Sequence, residues 1–235
     1  RPGEDEYITQ LSASGIRANV QVSGYITSIA TTGTIGTAAA PVNVWATKHI
    51  ASIQGSAIYA NIQANRGSTP QNPTYENIGY IRTTSGPLVG SVSANGLYYN
   101  STADGMNING DLDADITLAD LWEPLTVSGE FKAGRTITIG NYIANGTLNL
   151  GGTNYSTNGN ITFTGALKGT LKVRNLWSKI ELPANGLQGR IIVNHKNDGG
   201  TWETSGTRFV KVGSTTLSPA PAYTQLSANL GGGSV

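Results

Sequence analysis

The chain has 235 residues, 38% of them hydrophobic and only 12% charged, with a net charge of +1 and no cysteine. So little charge excludes a chain held unfolded by self-repulsion and a surface of Glu- and Lys-rich helices; with no run of Lys or Arg it also excludes nucleic-acid binding through counterion release. No stretch of about 18 apolar residues is present to span a membrane as a helix, and the missing cysteine rules out disulfides, thiolate metal sites and a cysteine nucleophile.

Residues Arg1 to Glu6 are polar and acidic and read as a frayed terminus or a terminal contact. The sequence opens on Arg rather than Met, as expected of a chain whose secretion signal has been removed, or of one trimmed by proteolysis. Strand-like alternation begins near Ile16 and Val20. Gly24-Tyr25-Ile26, Ile29, Gly33-Thr34-Ile35 and Val42-Asn43-Val44 follow as short strands broken by small-residue corners. Ile50, Ile53, Ile58 and Ile62 are spaced by 3, 5 and 4 residues, which would suit a helix in isolation. Their β-branching and Gly55 favour strands instead. Residues 65–77 hold two prolines and no apolar period, and read as a loop leaving the strands. Ile78, Tyr80-Ile81, Leu88 and Val92 resume the pattern, and Tyr98 to Gly105 breaks it with polar residues.

From Gly90 to Leu171 a phrase recurs: glycine, any residue, then a large apolar residue. It reads Gly90-Ser91-Val92, Gly110-Asp111-Leu112, Gly129-Glu130-Phe131, Gly146-Thr147-Leu148 and Gly165-Ala166-Leu167, with glycines 20, 19, 17 and 19 residues apart. A β-rich repeat of this length predicts one coil of an all-β β-solenoid, a right-handed parallel β-helix with coils of about 17–20 residues. Glycine would turn each corner at positive φ. Val92, Leu112, Phe131, Leu148 and Leu167 would then stack on one inner wall. A β-sandwich is the competing architecture. Leu121-Trp122-Glu123-Pro124 reads as a corner with Trp122 shielding an edge, and Lys168, Lys172 and Arg174 as an exterior face.

After Asn175 the grammar changes. Ile191-Ile192-Val193 and Phe209-Val210-Lys211-Val212 are denser strands, and between them Asn197-Asp198-Gly199-Gly200 signals a reverse turn. This predicts solenoid coils over residues 1–175 and, over 176–235, a C-terminal β cap covering the open sheet end with a linker-like tail from Ser218. The tail ends on no closing element, and the native polypeptide is expected to continue.

Asn109-Gly110-Asp111-Leu112-Asp113-Ala114-Asp115-Ile116-Thr117-Leu118-Ala119-Asp120 carries the densest acidic pattern. It resembles the calcium loop of a dockerin or EF-hand. That resemblance puts Asn109, Asp111, Asp113 and Asp120 at Ca2+-ligand positions, with Ala114 where such loops have glycine and Asp120 where an EF-hand has Glu. The other reading makes Asp111, Asp113 and Asp115 the outward residues of a strand whose Leu112 and Ile116 face inward. Asp115 and Asp120 could alternatively serve a polysaccharide-cleaving β-helix, which needs two carboxylates flanking a sugar. His49 and His195 are the only histidines, and neither lies beside a Gly-x-Ser-x-Gly nucleophile motif. Trp45, Trp122, Trp177 and Trp202 are candidates for sugar stacking or for core. Thr31, Thr32, Thr34 and Thr37 do not recur coil after coil as an ice-binding array would. Asn100, Asn145, Asn154 and Asn160 head glycosylation-type tripeptides.

The coil phrases, with Leu217-Ser218-Pro219-Ala220-Pro221-Ala222-Tyr223 and Leu226-Ser227-Ala228-Asn229-Leu230-Gly231-Gly232-Gly233, resemble large secreted repeat proteins of planctomycete-type bacteria. The resemblance implies an extracellular or cell-surface β-solenoid and assigns no catalytic residues. The expected function is a non-enzymatic structural or surface protein that self-associates into a fibre or layer, or adheres. The alternative is a carbohydrate-binding or carbohydrate-cleaving β-helix with a polysaccharide partner.

Overall fold

The structure, a computed structural model, describes residues 6–64, 77–97, 105–143, 145–150, 153–176, 178–193 and 209–217. The alternation in the sequence becomes strands, and the described residues contain no helix. One row of strands comprises β1 (Leu11–Ala13), β3 (Ile29–Thr31), β5 (Ile50–Gly55), β7 (Asn77–Thr83), β9 (Met106–Ile108), β11 (Leu125–Val127), β15 (Ile161–Phe163), β17 (Lys179–Leu182) and β19 (Phe209–Val212). The second comprises β2 (Val20–Val22), β4 (Val42–Ala46), β6 (Ile58–Ala64), β8 (Leu88–Leu97), β10 (Leu112–Leu121), β12 (Thr136–Ile143), β16 (Thr170–Leu176) and β18 (Arg190–Val193). Outside both rows lie β13 (Asn145–Leu150) and β14 (Thr153–Asn158), an antiparallel pair, and β20 (Thr215–Leu217). In each row a strand pairs in parallel with its counterpart one coil on. The rows join where β7 pairs with β8, so together with β20, paired to β19, they form one curled sheet of 18 strands. This is a parallel β-solenoid.

Its core is a set of vertical columns, one residue per coil. At the corner between the rows, Ile16, Ile35, Ile58, Leu88, Leu112, Phe131, Leu167 and Leu187 stand in register. In the first row Ile29, Ile53, Ile81, Met106, Leu125, Ile161, Ile180 and Val210 do the same. In the second row the column is Val20, Val44, Ile62, Val92, Ile116, Ile137, Leu171 and Ile191. Every one of these residues is buried. Full burial of such a side chain is worth roughly 1.5–3 kcal/mol, and inside a column the coils on both sides provide it.

The glycine phrase marks the corner column only in part. Gly110, Gly129 and Gly165 set Leu112, Phe131 and Leu167 there. Val92 belongs to the second-row column instead, and Leu148 pairs with Tyr155 in the β13–β14 hairpin. The position two before the corner column reads Ser14, Gly33, Ser56, Gly86, Gly110, Gly129, Gly165 and Asn185. Positive φ is not why glycine sits there, for among these only Asn185 has it. The reason is proximity. A Cβ on Gly129 would lie 2.5 Å from the Gly110 carbonyl carbon, and one on Gly165 2.1 Å from the Gly129 oxygen. Gly90, by contrast, does have positive φ (123°), but within β8 rather than at a corner.

Down the corner column the coils measure 19, 23, 30, 24, 19, 36 and 20 residues. The expected period thus fits the shortest coils, and the longer ones carry insertions. The largest holds the β13–β14 hairpin, between Ile143 and Ile161. Of the loop expected at 65–77, only Asn77, which opens β7, lies within the described residues; residues 98–104 of the polar break also lie outside them. The parallel ladders pass Asn175 and continue through β17, β18 and β19. Ile191–Val193 and Phe209–Val212 therefore belong to different rows and are not partners in a hairpin, because each has a column of its own to continue. The turn expected at 197–200 and the tail from Ser218 fall outside the described residues. Among the described residues after Asn175 it is β20 that turns back, pairing antiparallel with β19.

Candidate functional site

The acidic stretch lies on the exterior beside the corner column. Leu112, Ala114 and Ile116 are buried while Asp111, Asp113 and Asp115 alternate outward, as one pleated strand requires. Each acid meets a base one coil on. Lys132 Nζ lies 2.6 Å from Asp111 and 3.0 Å from Glu130, and Lys168 Nζ 2.7 Å from Glu130. Asp111, Lys132, Glu130 and Lys168 thus form a chain of alternating sign across three coils. Beside it Arg135 lies 2.6 Å from Asp113 and 3.4 Å from Asp115. Backbone donors complete the lattice: the Glu130 N–H donates to Asp111 at 2.9 Å and the Thr136 N–H to Asp115 at 2.8 Å.

The proposed calcium ligands do not converge. Asn109 donates to the Thr84 carbonyl at 2.7 Å and accepts from Ser128 at 3.2 Å. At about 3.3 Å per residue, Asp120 at the far end of β10 is on the order of 20 Å from Asp113. An extended strand cannot curl its carboxylates around one ion as a calcium loop does. Among the described residues no group of three or more His, Cys, Asp or Glu is arranged to hold a metal.

Four groups of the lattice have pKa values shifted by their partners. Hydrogen bonds from Lys132, then from the Glu130 backbone, hold Asp111 below the usual carboxylate range, and those from Lys168 and Lys132 do the same for Glu130. Lys132 is raised by Asp111 and Glu130, and Arg135 by Asp113. A general acid needs the opposite shift. These groups are fixed charges that staple coil to coil.

The histidine and aromatic candidates divide. Tyr7, Tyr25 and His49 occupy equivalent places on successive coils, with ring centroids 5.3 Å apart for the tyrosines and 4.9 Å for Tyr25 and His49, both stacked. Burial, then the charge of Lys48, lowers the pKa of His49. Trp122 is buried behind β10, and Trp45 is half-buried on the exterior of β4. His195, Trp177 and Trp202 lie outside the described residues. Thr31 and Thr34 donate to the corner carbonyls of Gly33 and Gly36. Asn145 and Asn154 lie on the paired strands of the hairpin, Asn160 precedes β15, and Asn100 is outside the described residues.

Sequence reasoning missed the amides. Asn19, Asn43, Asn61 and Ser91 make a second outward ladder. The Asn43 N–H donates to Asn19 Oδ1 at 2.8 Å, Asn61 Nδ2 to Asn43 Oδ1 at 3.1 Å, and Ser91 Oγ to Asn61 Oδ1 at 3.1 Å. Its signal was there as asparagines spaced 24 and 18 residues apart, but only the coil lengths reveal that those spacings coincide. The basic partners of the acidic stretch were hidden the same way.

Fold and surface together define a parallel β-solenoid whose exterior polar groups are organised coil to coil. Comparison with protein-family models, with curated proteins and with solved structures finds no match to this chain. No helix among the described residues is long and apolar enough to cross a membrane.

Proposed function

We propose that this chain is a non-enzymatic extracellular structural or surface protein that self-associates through the ends of its solenoid, building a fibre or layer or serving adhesion. The observation that carries this reading is the first coil. Among the described residues β1 and β2 each pair on one side only, with β3 and β4. Two apolar columns reach that edge on half-buried Ile8 and Leu11, above Ile26 and Ile29, while Ile16 and Val20 end theirs buried; Tyr7, 60% exposed, heads the aromatic stack. An unpaired parallel edge with apolar columns behind it is a template for another strand, and a second copy offers the matching period. The charge pattern supports a non-catalytic role, since Lys132 and Lys168 hold Asp111 and Glu130 below the usual carboxylate range and Arg135 pairs with Asp113 and Asp115. The extracellular placement rests on the sequence resemblance.

Negative-stain microscopy and light scattering of the full chain across a concentration series test this. Linear or sheet-like assemblies that grow with concentration are expected, and Leu11→Lys at the edge should suppress them. Monomers at every concentration, together with depolymerisation of a polysaccharide, would overturn the reading.

A further inference from the structure

We infer that the exterior of β2, β4, β6 and β8 binds a neutral polysaccharide. These four adjacent strands contain no charged residue. Among their outward positions two columns stand side by side: Asn43, Asn61 and Ser91, headed by Asn19 just before β2 and joined by hydrogen bonds, and the register-matched Gln21, Trp45, Gln63 and Ser93. All three asparagine side chains are exposed. An amide has two donors and two acceptor lone pairs, so the single bonds along the ladder orient these groups while leaving capacity outward. Preorientation of this kind lowers the entropy cost of binding.

Between Gln21 and Gln63 the half-buried indole of Trp45 supplies an apolar body amid polar neighbours. Hydroxyls around a ring with an apolar face are the matching chemistry, which is that of a sugar. Strands one coil apart stand about 4.8 Å from each other, so a linear chain lying along the axis meets the same kinds of group coil after coil. Charge selects the class of glycan. A uronate or sulfated chain would seek Arg or Lys, and a cationic chain would seek carboxylates; these four strands offer neither. One coil further, β10 carries Asp113 and Asp115 outward and the neutral platform ends.

This inference does not depend on self-association. Affinity electrophoresis of the full chain tests it in native gels containing hydroxyethylcellulose, dextran or polygalacturonate. Retardation by at least one neutral polymer and none by polygalacturonate is expected. Trp45→Ala should weaken the apparent affinity at least tenfold. Gln21→Glu with Gln63→Glu, which adds charge and leaves the buried columns untouched, should weaken it several-fold. If Trp45→Ala does not fold, judged by its far-ultraviolet spectrum, the double glutamate variant decides. The inference is overturned by no retardation in either neutral gel, by equal retardation in polygalacturonate, or by affinity unchanged in the variants that fold.

Discussion

The first four coils and the four that follow share one interior and differ on the outside. Both bury the same columns of large apolar residues, mostly Ile, Leu and Val, whose burial continues from Ile16 to Leu187. Outside, the early coils are joined by stacked rings and hydrogen-bonded amides, and the later ones by ion pairs. The difference teaches that stacking fixes what faces inward and leaves the exterior open to more than one way of tying coil to coil. An uncharged exterior can accept a partner without first breaking an internal ion pair. A charged one is already engaged with itself.

The largest expected effect tests the shared interior. Phe131→Ala in the later coils and Ile62→Ala in the earlier ones should cost about 3–5 and 2–5 kcal/mol, read by urea denaturation. Both should shift one common transition. Two separate transitions would break the picture of a continuous core. Next come the corners. Gly165→Ala forces a Cβ to within 2.1 Å of the Gly129 oxygen and should destabilise by about 1–3 kcal/mol, as overpacking does. Ser56→Ala, at the equivalent corner of an early coil, already has room for its Cβ and should stay within about 0.5 kcal/mol.

The ion lattice should separate the halves by pH and salt. Asp111 and Glu130 have lowered pKa values in the folded chain. The stability they contribute is therefore fully present above their unfolded values and is lost as pH falls through the folded ones. Hydrogen exchange below about pH 4 should accelerate in β10, β12 and β16 before it does in β2, β4 and β6, and about 1 M NaCl at neutral pH should act in the same direction more weakly. Equal loss in both halves would sink this assignment. A smaller effect belongs to the amide ladder, where Asn43→Ala should cost about 0.5–1.5 kcal/mol and leave the acid response unchanged. The smallest concerns His49. Its folded pKa is lowered, so the unfolded chain takes the proton first and stability falls as pH drops through about 6.5. His49→Phe should flatten that slope in a melting-temperature series.

Much of the fold could be read in the sequence because the inner face of a strand is a local property. Side chains alternate with a period of two, and Ile26, Ile29, Ile58 and Ile62 announce their burial without reference to distant residues. The glycine phrase was legible for the same reason, although its cause was not. Gly110, Gly129 and Gly165 are excluded from carrying a side chain by a neighbouring coil, and sequence-local reasoning credited them with a turn conformation. The Asp-rich stretch misled in a related way. Read along the chain it resembles a calcium loop; read across the coils it faces Lys132 and Arg135.

By itself, then, the sequence determined an all-β chain whose strands turn an apolar face inward and repeat too often to form separate cores. Only the tertiary structure decided which residues share a column. Down the corner column coil length runs from 19 to 36 residues, so the distance along the chain between stacked neighbours is not constant. Vertical partners are chosen by the backbone ladder between coils, which acts at about 4.8 Å in space whatever the length of chain looped out between them.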